Sequence, residues 1–307
     1  MTGDSLHVIE GVESVMDTSV AISVAHSDVN VAKDAIKSAF LEMRRIEDLM
    51  SVFKRDSEVY LLNKDGFTEN ASEEVSYVIE RARYYSKLSD GAFAVTVLPL
   101  LNLWKKRLDA GTFPTEKEVG EALSLADYRN VKVEDRCVRF LKANVGITLG
   151  GIAKGYAVDR TVEVLKQKGV SHALVNAGGD IKALGDKTPK APWKIGVRDP
   201  REKNRLLTIV NLRDMAIATS GGYERFIGRT IRVPHIINAR TGYPAQGVLS
   251  ATVIAKDAID ADALSTIVFL LGPEKGMEVV ERLEGVEALI ITEETMVRST
   301  GFHCYEG

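Results

Sequence analysis

The sequence has little cysteine and little imbalance of charge, and each shortage excludes a class of protein. Its two cysteines, Cys137 and Cys304, are far apart and form no CxxC pair, so we expect two unpaired thiols rather than a zinc site or a disulfide framework. The formal net charge is -3, without the basic excess that marks nucleic-acid binding. Any polyanionic ligand must therefore be held by local donors or by a metal ion.

Long apolar runs are also lacking. The longest, around Ile267–Leu271, is far too short to span a bilayer, which predicts no transmembrane segment. Residues Met1–Gly11 lack the basic and apolar regions of a signal peptide. We expect a cytoplasmic protein if the chain is as given, and a periplasmic or otherwise extracytoplasmic one if a leader was removed.

Helix and strand patterns alternate without the regular rhythm of a parallel βαβ fold, which predicts the α+β class. No repeat or linker divides the chain, so we expect a single domain over residues 1–307, with or without two lobes. Apolar spacing predicts helices at Ala32–Met50, Glu73–Ser89, Thr115–Leu125, Ile152–Lys168 and Asp260–Leu271. Strands are predicted at Val15–Val24, Ala173–Val175, Trp193–Val197, Leu206–Asn211, Ala216–Thr219 and Leu249–Ala255. Val95–Trp104 contains Pro99 and is predicted to be a loop with a short helix.

Three segments contain glycines that allow close approach of the backbone to a ligand. Gly150-Gly151 precedes a helix that carries Lys154, so it either offers amide groups and a charge to a phosphate or makes a tight turn. Asn176–Asp180 favours a hairpin turn, with a backbone nest for an anion as the alternative. Thr219–Tyr223 either offers two hydroxyl groups at a strand end or is another turn.

Two further segments carry reactive or metal-binding side chains. His235 can serve as a general base or bind a phosphate, although a structural role is favoured for a lone histidine. Asp262 and Thr266 share one face of an apolar helix, where a buried carboxylate needs a partner. Mg²⁺ is one such partner. Alternatively, Asp260 is the N-cap and the carboxylate of Asp262, in the first turn, interacts with the helix dipole. This explains the position of Asp262 equally well.

The order and wording of these segments resemble the ApbE family of FAD:protein FMN transferases. The resemblance covers residues 15–290 and is carried by LGGIAKGYAVDR, NAGGDI, ATSGGYERF, HIINARTGYP and DADALSTIVFLLG, preceded by LMSVFKRDSEVYLLN and SDGAFAVTVLPLLNLW. It implies an α+β fold related to the tunnelling-fold group. It also implies that FAD is split at its pyrophosphate, that AMP leaves, and that FMN is esterified to a Thr or Ser hydroxyl of an acceptor flavoprotein.

The resemblance further implies a set of site residues. Gly151, Asp262 and Thr266 match the family's ligands to Mg²⁺, the first through its backbone carbonyl. Lys154 and His235 are the candidates for catalysis, Lys154 by stabilising charge on the diphosphate and His235 by activating the hydroxyl or binding the phosphate. The positions that match the family's FAD site are Met16, Phe53, Lys54, Arg55, Ala92, Phe93, Ala94, Thr148, Lys154 and Ile237.

The sequence departs from the family pattern at several positions that are usually acidic. Ala94 replaces the aspartate of the family pattern GAFDxT, and Thr148 replaces the aspartate that usually precedes Leu-Gly-Gly. Asn238 replaces the aspartate of the usual Asp-Pro pair. Outside these acidic positions, Asp17 replaces the glycine of Met-Gly-Thr. Because loss of a buried carboxylate leaves donors without a partner, we expect FAD binding to differ there. Two alternatives to the transferase stay open, an FAD pyrophosphatase and an FAD-binding protein with weakened catalysis.

Overall fold

The computed structural model describes residues 6–188, 191–202, 205–222 and 226–307. Within these ranges the α-helices are α1 Val29–Met50, α2 Glu58–Asp65, α3 Glu73–Leu88, α4 Leu98–Asp109, α5 Glu116–Leu123, α6 Ala153–Gln167 and α7 Ala258–Val280. The strands are β1 His7–Val15, β2 Thr18–His26, β3 Phe67–Thr68, β4 Val131–Glu134, β5 Cys137–Phe140, β6 Ala173–Ala177, β7 Asp180–Leu184, β8 Trp193–Arg198, β9 Leu206–Leu212, β10 Ala216–Gly221, β11 Phe226–Ile227, β12 Val233–Pro234, β13 Ser250–Ala255, β14 Glu287–Ile291 and β15 Met296–Arg298. Short 3-10 helices span Val95–Val97, Tyr128–Asn130 and Phe302–Tyr305.

The largest sheet is antiparallel throughout, with the strand order β1-β2-β6-β7-β10-β13-β14-β15. Smaller antiparallel sheets are formed by β3-β5-β4, by β8-β9 and by β11-β12. Antiparallel pairing together with packed helices confirms the prediction of the α+β class. Among the described residues, no helix is long and apolar enough to cross a bilayer.

The core is divided into three apolar clusters. The largest lies between one face of the large sheet and the helices, above all α1, α3, α6 and α7. The second lies on the opposite face, where the β8-β9 hairpin covers β7, β10, β13 and β14. The third joins α4 and α5 to the segment around Ile237 and Ala239. The division of the chain into one domain or two lobes stays a prediction.

Most of the predicted helices are confirmed, because the signals that specify them are local. Asp28 accepts hydrogen bonds from two amide groups at the beginning of α1, and one apolar face of that helix is buried. Thr115 and Glu118 form the predicted capping box of α5. The two cysteines, Cys137 and Cys304, are free, as predicted.

The strand predicted over Val15–Val24 is wrong at its beginning. Met16 and Asp17 form a two-residue turn between β1 and β2, with φ angles of 54° and 56°. A hairpin turn of this kind needs positive φ at both central residues and usually contains glycine. The turn was missed because neither residue is glycine and apolar residues flank both sides.

Two helix boundaries also differ from the prediction. Val95–Trp104 was predicted to be a loop with a short helix, and the helix is confirmed but is longer than expected. It begins at Leu98 and runs to Asp109, and Pro99 lies in its first turn, where a missing N–H costs no hydrogen bond. Asp260 is not the N-cap of α7, since Asp257 holds that position and Asp260 pairs with Arg81 at 2.9 Å. The predicted end of this helix at Leu271 is confirmed, because Gly272 has a non-helical conformation with a φ of 78°, and a second helical segment follows it within α7.

Candidate active site

Three chain segments meet at one end of the large sheet. They are the Met16–Asp17 turn between β1 and β2, the Gly178–Gly179 turn between β6 and β7, and the end of β10 at Gly221, which the strand registers place at the same end. A Cβ on Gly178 would lie 2.2 Å from Thr18 Oγ1, so only glycine lets the two hairpin turns touch. The predicted hairpin over Asn176–Asp180 is confirmed.

The beginning of α6 packs directly on the beginning of α7. A Cβ on Gly155 would lie 2.2 Å from the carbonyl oxygen of Ala258, so the two helices approach each other through a glycine. The Gly155 N–H donates to Asp262 Oδ2 at 2.9 Å, and Asp262 is buried. The carboxylate of α7 therefore satisfies one of the free amide groups at the N-terminus of α6, where the helix dipole also favours negative charge.

Lys154 lies between two buried carboxylates. Its Nζ forms a salt bridge with Asp180 at the beginning of β7 and lies 4.0 Å from Asp262 Oδ1. A buried charge requires a partner, and here two carboxylates share one ammonium group. This excess of negative charge favours the binding of a further cation. Asp180 was missed as a site residue because the glycines before it indicated only a turn.

Side-chain hydroxyl groups cluster one helical turn beyond Asp262 on α7. Ser220 Oγ lies 3.2 Å from Thr266 Oγ1 and 2.9 Å from Ser265 Oγ. Gly151 is adjacent, since a Cβ built on it would lie 3.7 Å from Thr266 Oγ1. The structure therefore brings the three predicted metal ligands into one neighbourhood.

This donor set fits Mg²⁺. In the part of the chain that the structure describes, no group of three or more His, Cys, Asp or Glu side chains could hold a metal ion. A site here would use the single carboxylate of Asp262, the hydroxyl of Thr266 and the carbonyl of Gly151. Mg²⁺ is commonly bound by one or two carboxylates, with waters and phosphate oxygens completing its coordination.

A groove lies beside the N-terminus of α6. Four of the residues predicted to bind FAD line it: Met16, Phe53, Thr148 and Lys154. The side chain of Phe53 is 78% exposed, so its ring is free to stack against a planar ligand. Thr148 Oγ1 accepts a hydrogen bond from the Gly150 N–H at 3.3 Å and so stabilises the glycine turn before α6. The remaining lining residues are Asp17, Glu47, Met50, Ser51, Val52, Leu149, Gly150 and Ala153.

The other predicted FAD residues lie in two different environments. Lys54 and Arg55 are exposed on the loop that carries Phe53. Four others, Ala92, Phe93, Ala94 and Ile237, are buried, and all but Ala92 belong to the apolar clusters. A Cβ on Gly151 would lie 3.1 Å from the ring of Phe93, so this ring packs directly against the glycine turn. The FAD contacts of all six residues stay predictions.

His235 lies in a loop that adjoins the end of β10. It follows β12 and is partly buried, and its neighbour Pro234 packs on the chain just after β10, 3.7 Å from where a Cβ on Gly222 would be. Because β10 carries Ser220, which bonds Thr266, the loop of His235 adjoins the candidate metal site. The catalytic role of His235 stays a prediction. Tyr223, from the predicted Thr219–Tyr223 segment, lies outside the described residues.

A buried ion pair fixes the beginning of α7. Asp159 on α6 accepts hydrogen bonds from the N–H groups of Ala258 and Ile259 at 3.0 and 2.9 Å, and it pairs with Lys182 at 2.6 Å. Burial raises the pKa of Asp159, and its bonds to Lys182 and to the two amides act against that rise. This cap holds the helix that carries Asp262 in place, and sequence analysis missed it.

Two hairpin turns and the N-terminus of a helix thus place amide groups, an ammonium group and a carboxylate together at one end of an antiparallel sheet, an arrangement suited to a phosphate-containing ligand. The chain belongs to the ApbE family, whose model matches residues 16–290.

Comparison with individual proteins agrees with this assignment. The chain is 32% identical to the FAD:protein FMN transferase of Treponema pallidum over 286 residues, which cover 87% of this chain and 79% of the relative. It is 32% identical to that of Klebsiella pneumoniae over 260 residues, which cover 82% and 80%. Among solved structures, the ApbE protein of Thermotoga maritima has a TM-score of 0.89 and 36% identity, over 98% of this chain and 100% of that one. The flavin transferase ApbE from Vibrio cholerae has a TM-score of 0.87 and 27% identity, over 98% and 99%. The predicted family and fold are confirmed.

Proposed function

We propose that this chain transfers FMN from FAD to a Thr or Ser hydroxyl of an acceptor protein, with release of AMP and in the presence of Mg²⁺. The observation that carries the proposal is the position of Asp262. Its buried carboxylate accepts the Gly155 N–H at the N-terminus of α6 and lies 4.0 Å from the ammonium group of Lys154, one helical turn before Thr266. The names of the relatives support FAD as donor and a protein as acceptor.

Each of these groups has a defined task in the proposed reaction. Asp262, Thr266 and the carbonyl of Gly151 would hold Mg²⁺, which when bound stabilises negative charge on the diphosphate. The amide groups and dipole at the N-terminus of α6 attract the same phosphates. Lys154, held by Asp180, adds a positive charge near the oxygen that takes up charge as the diphosphate is broken.

The proposed reaction needs no reactant other than FAD and the acceptor hydroxyl. The acceptor oxygen attacks the phosphorus of the FMN half, the bond from this phosphorus to the bridging oxygen breaks, and AMP leaves with that oxygen. The hydroxyl proton passes to a base, for which His235 is the candidate because its loop adjoins Ser220 and Thr266. Phosphoryl transfer depends mainly on positioning and charge neutralisation, so few side chains are required.

The experiment measures AMP and protein-bound flavin together. The protein is incubated with FAD and Mg²⁺, with and without a flavoprotein that an ApbE relative modifies. We expect AMP release and covalent flavin fluorescence only when both Mg²⁺ and the acceptor are present. AMP release without an acceptor would instead identify a pyrophosphatase. FAD binding without AMP release under any condition would refute both enzymatic functions.

Asp262→Asn is the matched variant for the metal. The amide oxygen of Asn can still accept the Gly155 N–H, so the contact between α6 and α7 is kept while the negative charge is lost. We expect Mg²⁺-dependent turnover to disappear while the circular dichroism spectrum is unchanged. Full activity of this variant would exclude Asp262 as a metal ligand.

A further inference from the structure

The Met16–Asp17 turn forms one wall of the groove and has an unfavourable backbone conformation. Both residues have positive φ, which is disfavoured for side chains with a Cβ and persists only when the surroundings hold it. The Met16 N–H donates to Glu47 Oε1 on α1 at 2.8 Å. Glu47 therefore supplies a long-range contact that holds this turn.

The opposite wall is tied to the same carboxylate. Glu47 Oε2 accepts from Lys54 Nζ at 2.6 Å, and Lys54 also donates to Asp48 at 2.7 Å. Partial burial lowers the pKa of Lys54, but the hydrogen bonds to Asp48 and Glu47 outweigh this and raise it above its usual value. The ammonium group is thus charged at neutral pH and is directed to carboxylates.

The loop that carries Lys54 is also ordered by its own serines. Ser51 Oγ accepts the N–H groups of Phe53 and Lys54 at 3.1 and 3.3 Å, and Ser57 donates to the Ser51 carbonyl. With the backbone fixed in this way, the pairing of Lys54 with Glu47 links the loop that carries Phe53 to the carboxylate that bonds the Met16 amide.

We propose that Glu47 and Lys54 are positioning residues that hold the Met16–Asp17 turn and the Phe53 loop at the spacing needed to bind the nucleotide. The inference rests on the proposed function, because it takes the groove as the FAD site. It changes the expected role of Lys54 from a contact with FAD to a partner of Glu47. Preorganised walls bind more tightly because the cost of ordering them is not taken from the binding free energy.

The test compares four variants, with Asp48→Asn as the matched control. Asp48 also pairs with Lys54 but is not among the groove-lining residues. We expect Glu47→Ala and Lys54→Met to raise the dissociation constant of FAD roughly fivefold, and the double variant to show much less than the product of the two effects. Asp48→Asn should bind FAD like the wild type. For Asp48→Asn, kcat at saturating FAD should also equal that of the wild type.

Two further measurements separate positioning from general destabilisation. Adding Asp17→Gly to Glu47→Ala should recover part of the affinity, because glycine adopts positive φ freely. Hydrogen exchange of the Met16 amide should be faster in Glu47→Ala than in the wild type, and this readout needs no FAD.

The outcomes distinguish the two proposals. Unchanged FAD affinity in Glu47→Ala, or an equal loss in Asp48→Asn, would overturn the positioning role. Unchanged exchange at Met16 would also overturn it. If the wild type does not bind FAD, the proposed function fails, while the exchange experiment still decides whether Glu47 holds the turn.

Discussion

Replacement of Gly155 by alanine tests the close approach of α6 and α7 on which the site depends. The new Cβ would lie 2.2 Å from the Ala258 carbonyl oxygen and 2.7 Å from Ile259 Cα. Both are backbone atoms, so no side-chain rotation relieves the contact and one helix must move by most of an ångström. That movement also stretches the hydrogen bond from the Gly155 N–H to Asp262.

The expected change in the free energy of unfolding of Gly155→Ala has three contributions. Overpacking costs about 1–3 kcal/mol. Weakening a hydrogen bond to a charged group costs up to about 1.5–3 kcal/mol. Alanine recovers about 1 kcal/mol of helix propensity. We therefore expect a net loss of about 1.5–5 kcal/mol, which at about 2 °C per kcal/mol lowers Tm by roughly 3–10 °C.

Gly120→Ala is the control, because Gly120 lies in the exposed part of α5 with nothing within 4 Å of its Cβ position. There the same substitution should raise stability by about 0.5–1 kcal/mol. Thermal and urea unfolding of both variants measure the difference. If Gly155→Ala is as stable as Gly120→Ala, α6 and α7 are not in the close contact described, and Asp262 does not lie at the N-terminus of α6.

Two other predictions use charged groups. Asp180→Asn removes the counter-ion of Lys154, which then moves towards Asp262 and competes with the cation, so the Mg²⁺ concentration for half-maximal thermal stabilisation should rise; an unchanged Mg²⁺ titration would contradict this. Glu118→Gln tests pH dependence, since the hydrogen bond from Arg107 lowers the pKa of Glu118 from 4.5 to about 2. A carboxyl group whose pKa is lowered by folding stabilises the folded state at pH values above its pKa in the unfolded chain. This stabilisation is lost as the pH falls through the pKa of the folded state. The variant should be less stable than the wild type at pH 7 in urea unfolding, with the difference shrinking from about pH 4.5 towards pH 2, whereas a constant difference would refute the assignment.

The local part of the fold was predictable because its determinants are close in sequence. The capping box of Thr115 and Glu118 spans three residues, and the apolar face of α1 repeats within each turn. The turn at Met16–Asp17 was not predictable in this way, because its conformation depends on Glu47, 31 residues further along. Its sequence by itself favours continuation of the strand.

The candidate site was predictable as a set of residues but not as an arrangement. Motif order indicated Gly151, Lys154, Asp262 and Thr266, and the structure brings them together. The same motif order indicated Ile237 and, despite its departure from the family pattern, Ala94, yet both side chains are buried in an apolar cluster. Burial depends on which elements pack together, and motif matching contains no such information.

The sequence alone determined the family, the α+β class and the helices whose caps and apolar faces are local. Tertiary structure decided which of the chain's charges meet. Asp159 caps a helix whose first residue is 99 positions away, Asp180 pairs with Lys154 from a different element, and Asp262 accepts the amide of Gly155 across a contact that only glycine allows. These contacts form between elements distant in sequence, and their free energy comes from burial and charge pairing that exist only once the sheet and helices have packed.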